Sequence, residues 1–117
     1  MSSTPVTQSI AKASAGATDE TLVADAHPTN KVIKWTRIVA RDVDNQATCI
    51  TLFFRAGASD YILKTESPSG ANTTVEMKEP LFVPGNWQIG ATFTGSSSGD
   101  KLEIYAYGYI VPSYPVS

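Results

Sequence analysis

The chain has 117 residues, 42% hydrophobic and 17% charged, with a net charge of −2, a composition that fits one modest globular domain and excludes a disordered chain. The balance of charge excludes the electrostatic footprint of a nucleic-acid or anionic-membrane binder. No apolar run approaches the roughly 20 residues that span a bilayer.

Residues 1–18 differ from the rest: seven are Ser or Thr, and the sizeable apolar side chains are Met1, Val6 and Ile10. Ordering such a segment costs about 1–2 kcal/mol per residue, and burying Val6 and Ile10 returns only about 1.5–3 kcal/mol each. The expectation is an extended arm outside the domain. It would order on assembly by adding a strand to a neighbour's sheet edge through Val6 and Ile10. The alternative is an arm folded back over its own domain. Met1-Ser-Ser-Thr-Pro-Val6 has neither the basic start nor the apolar stretch of a signal peptide, and the lone Cys49 cannot form an internal disulfide. Folding in a reducing cytoplasm is therefore expected.

From residue 19 to 111 the chain reads as short strands separated by turn residues. Strands are expected near 20–24, 31–41, 46–55, 59–65, 73–77, 80–83, 87–94 and 101–111. Between them lie Gly, Pro, Asn and Asp clusters such as Asp42-Val-Asp-Asn45, Pro84-Gly-Asn86 and Gly95-Ser-Ser-Ser-Gly-Asp100, the residues that tight reversals need. About eight strands without a helical repeat predict an all-β fold, an antiparallel β-sandwich of the jelly-roll kind. Parity places Ile33, Trp35 and Val39 on one core face, with Ile50, Leu52 and Phe54, with Tyr61 and Leu63, and with Trp87, Ile89 and Phe93. Cys49, Thr51 and Phe53 make the other face of their strand apolar as well, which predicts cover on both sides, one of them from a neighbouring subunit. Residues 112–117 form a C-terminal tail in which Tyr114 lies between Pro112 and Pro115, placed to dock on a neighbour.

Catalytic readings fail for want of parts. His27 precedes Pro28 in a turn, and Cys49 sits within a strand. One His and one Cys cannot build the usual zinc sets, so no metal and no cofactor is expected. Asp42-Val-Asp-Asn45 has Ala47 and Phe53 where the helix-loop-helix calcium motif requires Gly and Glu. The Gly-rich loop 95–100 lacks the Lys-Thr and the helix of a phosphate loop. The expectation is a protein that is not an enzyme.

The last strand is the most informative. Lys101-Leu-Glu-Ile-Tyr-Ala-Tyr-Gly-Tyr-Ile110 alternates strictly, with Leu102, Ile104, Ala106 and Ile110 on one face and Tyr105, Tyr107 and Tyr109 on the other. Three phenols on the solvent side suit a contact surface, because Tyr gives contact area at low entropy cost.

Together these segments resemble a family. A Ser/Thr/Ala arm runs into Thr21-Leu-Val-Ala24, and Lys31-Val-Ile33 opens a long strand. A Gly57-centred hairpin, Leu81-Phe-Val-Pro-Gly85 and a closing Gly99-Asp-Lys-Leu102 strand ending in Gly108-Tyr-Ile110 follow. The pattern over residues 18–111 is similar to the small β-sandwich virion proteins of tailed bacteriophages. That resemblance implies a structural role without catalytic residues, most simply a capsid decoration (cement) protein in the virion, made in the host cytoplasm. Its partners would be further copies of itself, as a homo-oligomer with a trimer favoured, and a major capsid or other virion protein. A head–tail joining protein is the alternative within assembly. A carbohydrate- or receptor-binding module on the aromatic side chains is the alternative outside it.

Overall fold

The computed structural model describes residues 4–16, 18–27 and 31–111. Tyr114 and the rest of the 112–117 tail lie outside the described residues. Nine strands are present: β1 (Thr4–Ala13), β2 (Asp19–Val23), β3 (Val32–Asp42), β4 (Cys49–Ala56), β5 (Ser59–Glu66), β6 (Val75–Met77), β7 (Leu81–Pro84), β8 (Gln88–Thr94) and β9 (Lys101–Ile110). They form two antiparallel sheets. The first runs β1-β9-β3, with β7 pairing the first half of β3 and β6 the second half; the other runs β2-β8-β4-β5. Apart from the β4–β5 hairpin, the chain crosses between the sheets as in a jelly roll, in which β6 and β7 together fill one strand position. The expected all-β sandwich is the observed fold.

The core lies between the sheets and follows the period-two pattern of the sequence. Ile33, Trp35, Ile38 and Ala40 of β3 and Leu102, Ile104 and Ala106 of β9 face Ile50, Leu52 and Phe54 of β4 and Ile89, Ala91 and Phe93 of β8. Two parity expectations are corrected, for Val39 and for Tyr61. A bulge between Trp35 and Arg37 inserts Thr36 into β3, so the strand changes face partway along. Ile38 and Ala40 point inward, and Val39, expected in the core, lies on the outer surface opposite Tyr105. A second bulge, between Leu52 and Phe53 of β4, shifts the register with β5 at Leu63. Tyr61, also expected in the core, is 51% exposed on this edge strand.

The N-terminal segment is not an arm detached from the domain. β1 pairs antiparallel with β9 along its whole length, from Thr4 opposite Ile110 to Ala13 opposite Lys101. Val6 is 6% exposed and belongs to the core, and Ile10 packs against it. The connection to β2 is fixed as well. The Ser14 N–H donates to the Asp100 carbonyl at 2.7 Å and the Gly99 N–H to the Ser14 carbonyl at 2.8 Å. The buried Glu20 carboxylate accepts the Ala15 N–H, and the Ser14 and Ser96 hydroxyls meet at 2.8 Å. Judging the segment by Val6 and Ile10 alone omitted a full ladder of main-chain hydrogen bonds, which demands little of side-chain identity.

The large side chain on the second face of β4 is covered within the chain, with Cys49 and Thr51 half-buried. Phe53 is 2% exposed. The far end of its ring takes the space over Gly90 of β8, where a Cβ would stand 2.3 Å from the ring carbon Cζ, and the Arg55 guanidinium lies over the ring at 5.4 Å. The expectation that a neighbouring subunit must cover Phe53 is corrected: a glycine across the strand makes the room, and the Arg55 cation lies over the ring.

Candidate functional site

Among the described residues, two of the six exposed large apolar side chains, Tyr61 and Ile62, lie on β5 of the second sheet, and the other four, Val32, Phe82, Tyr105 and Tyr107, lie on the outer face of the first. Strand register places them in rows across β7 or β6, β3, β9 and β1. In the first row stand Phe82, Lys34, Tyr109 and Pro5; in the next, Arg37, Tyr107 and Thr7; then Glu76, Val39, Tyr105 and Ser9; and last, Arg41, Glu103 and Ala11. Phe82 is 62%, Tyr105 45%, Val32 42% and Tyr107 40% exposed, values that set them apart from the buried core. Cross-strand neighbours on one face stand about 5 Å apart, so these side chains form one continuous surface.

The charges on this face lie against the aromatics and leave Phe82, Tyr105 and Tyr107 exposed. Lys34 Nζ lies 5.5 Å from the Phe82 ring centre and 5.6 Å from that of Tyr109, bridging two rings by cation–π attraction. Arg37 pairs with Glu76 at 2.8 Å. The Glu76 and Tyr107 oxygens that hydrogen-bond the guanidinium raise its pKa above the ordinary value, and Arg37 in turn lowers that of Glu76. Tyr105 and Tyr107 tilt against each other with ring centres 6.0 Å apart. Arg41 and Glu103 pair at 2.9 Å. A shallow groove of about 430 Å³ runs between Ser9, Ala11, Val39, Arg41, Glu103 and Tyr105.

Of the residues expected to make contacts, Tyr105, Tyr107 and Tyr109 come together here, Tyr109 half-buried under Lys34. Val6 and Ile10 serve the chain's own core. Tyr114 lies outside the described residues. Phe82, Val32, Val39, Lys34 and Arg37 were not anticipated. Strict alternation in Leu81-Phe82-Val83 would have marked Phe82, whereas Val39 required the bulge at Thr36. The tryptophans are not part of this face. Trp35 is 2% exposed in the core, and Trp87 stacks on Tyr61 at 5.1 Å with 6° between the planes. Among the described residues no three His, Cys, Asp or Glu side chains come together to hold a metal ion.

No family model matches the sequence, and neither does any curated protein. A solved structure from the work "Bacillus endospore appendages form a novel family of disulfide-linked pili" is similar over 95% of this chain and 93% of its own, with 11% sequence identity and a TM-score of 0.44. It is a bacterial pilus rather than a phage protein.

Proposed function

We propose that this chain is a structural subunit of a macromolecular assembly, docking through the outer face of its first sheet, and that the assembly is a phage particle whose head it decorates. One observation carries the docking reading. Phe82, Val32, Tyr105 and Tyr107 remain in solvent on one sheet face while, among the described residues, the rest of the large apolar side chains, apart from Tyr61 and Ile62, are buried or half-buried. Contiguous exposed aromatics ringed by paired charges are the composition of a protein-contact surface. The phage assignment rests on the resemblance of residues 18–111 to small virion proteins.

Self-association was expected in order to cover the second face of β4. Phe53 is covered within the chain, so the surface through which copies would meet is the tyrosine face of β9. A trimer brings three such faces round one axis, or sets them on a capsid lattice.

The experiment is quantitative mass spectrometry of the purified particle. Hundreds of copies per virion mean decoration of the head, and about a dozen mean a neck component, on the copy numbers that closed symmetry allows. Absence from the particle overturns the phage reading.

A further inference from the structure

At one end of the sandwich, where the β3–β4 loop meets the β8–β9 loop, two carboxylates lie out of solvent. Asp42 is 2% exposed and Asp100 3%. Oδ1 of Asp42 accepts the N–H groups of Asp44 and Asn45 at 3.2 and 3.1 Å. Its other oxygen, Oδ2, is sealed from water, and no hydrogen-bond donor reaches it. Asn45 draws the Asp42 and Asp100 carboxyls to one place, with its backbone N–H on the first and its side-chain amide on the second. Asp100 has its own donors: the Ser97 N–H on Oδ2 at 2.9 Å and the Asn45 amide on Oδ1 at 2.5 Å. A buried carboxylate oxygen without a donor is costly, and two carboxylates in one site cannot both ionise cheaply.

We propose that Asp42 and Asp100 share one proton, carried on Asp42 Oδ2 and donated to Asp100, and that this bond is a pH-sensitive clasp between the β3–β4 and β8–β9 loops. Asn45 fixes its geometry by giving its backbone N–H to one carboxyl and its side-chain amide to the other. The same end of the sandwich anchors β1 through Ser14 to the Asp100 carbonyl, and segment 70–72 through the Asn72 N–H to the Asp42 carbonyl. The clasp therefore sits where four connections converge, β1–β2, β3–β4, β5–β6 and β8–β9.

The surrounding charges leave the pair to itself. Asp44, in the same loop, accepts the Lys101 N–H at 2.8 Å. From β9, Lys101 Nζ reaches Glu103 at 3.9 Å, and from β3 Arg41 closes on Glu103 at 2.9 Å. Lys12 of β1 stands opposite Leu102, which separates it from Asp42 in the same row. Glu20, on β2, is occupied by Ser14 and Ala15. Burial first, and then the bond to Asp100, push the Asp42 carboxyl up to about 6. Burial acts the same way on Asp100 but is outweighed by the donors Asp42, Ser97 and Asn45, which hold it below the usual carboxylate value.

The sign follows from linkage. A carboxyl whose folded pKa is raised contributes stability that is complete below its unfolded pKa, near 4, and is lost as pH rises through the folded value. The window is thus from about 4 to just above 6. The melting temperature of the full chain should fall by on the order of 10 °C between about pH 5 and about pH 7.5. Asp42→Asn, whose amide can donate to Asp100 at any pH, should remove most of that fall. Carboxyl-carbon NMR of the wild-type chain should show Asp42 titrating near 6, and this decides the matter even if the variant does not fold. Titration below about 4.5, within the ordinary carboxylate range, overturns the clasp, as does an unchanged fall in Asp42→Asn. A rise in wild-type melting temperature with millimolar calcium at the higher pH, absent in Asp42→Asn, would overturn it in favour of a cation site.

Discussion

The two outer faces of this sandwich solve the same problem in opposite ways. On the second sheet, Thr21, Thr92, Thr51 and Thr65 form one row across all four strands. Their hydroxyls pair at 3.0 Å between Thr21 and Thr92 and at 3.1 Å between Thr51 and Thr65. The large side chain of the next row, Phe53, is folded down over a glycine and capped by Arg55, which Asp60 holds at 2.8 Å. Ile62 remains exposed there, at the edge. On the first sheet, no glycine opens beneath Tyr105 or Tyr107, whose strand neighbours on that face are Val39, Arg37, Ser9 and Thr7. The rings stand out into solvent. Apolar area stays exposed where the sheet provides no room to fold it down.

Three substitutions and one deletion test this contrast, and the deletion has the largest expected effect. Removing residues 1–13 should abolish the cooperative thermal transition, because it strips a whole ladder from β9 and uncovers the core beside Val6. A truncated chain that melts near the wild-type temperature would return β1 to the role of a detachable arm. Phe53→Ala should cost about 3–5 kcal/mol in denaturant unfolding, the range for emptying a buried aromatic site, while partner binding by the refolded fraction stays unchanged. Tyr107→Ala should do the reverse. Its binding loss should be on the order of 2 kcal/mol or more, read by incorporation into particles, against a change of under about 1 kcal/mol in unfolding. Thr92→Val, in the middle of the hydroxyl row, should move stability by only about 0.5–1 kcal/mol and binding not at all. If Thr92→Val weakens incorporation more than Tyr107→Ala, the functional face has been assigned to the wrong sheet.

The sequence made some of this legible for identifiable reasons. β9 could be read residue by residue, since ten alternating positions without a bulge leave one assignment of faces. Its tyrosines were therefore found on the right side. β3 carries equally strong alternation, yet a single inserted residue, Thr36, reversed its second half and hid Val39. β4 showed apolar residues on both faces, but that Phe53 would be covered from within depended on Gly90, 37 positions away and across the strand pair. β1 was misplaced because its stability lies in main-chain pairing with β9, which composition does not display. The acid pair was out of reach for a similar reason: Asn45 joins Asp42 to Asp100 only through the closure of two loops.

The most direct measurement is hydroxyl-radical footprinting of the chain, free and within the particle from which it is purified. Assembly through the first sheet predicts that Tyr105, Tyr107 and Phe82 are oxidised freely in the isolated chain and protected in the particle, with Phe53 protected in both and Ile62 unchanged. Equal oxidation of the three aromatics in both states, or protection confined to Tyr61 and Ile62 on the second sheet, would contradict it.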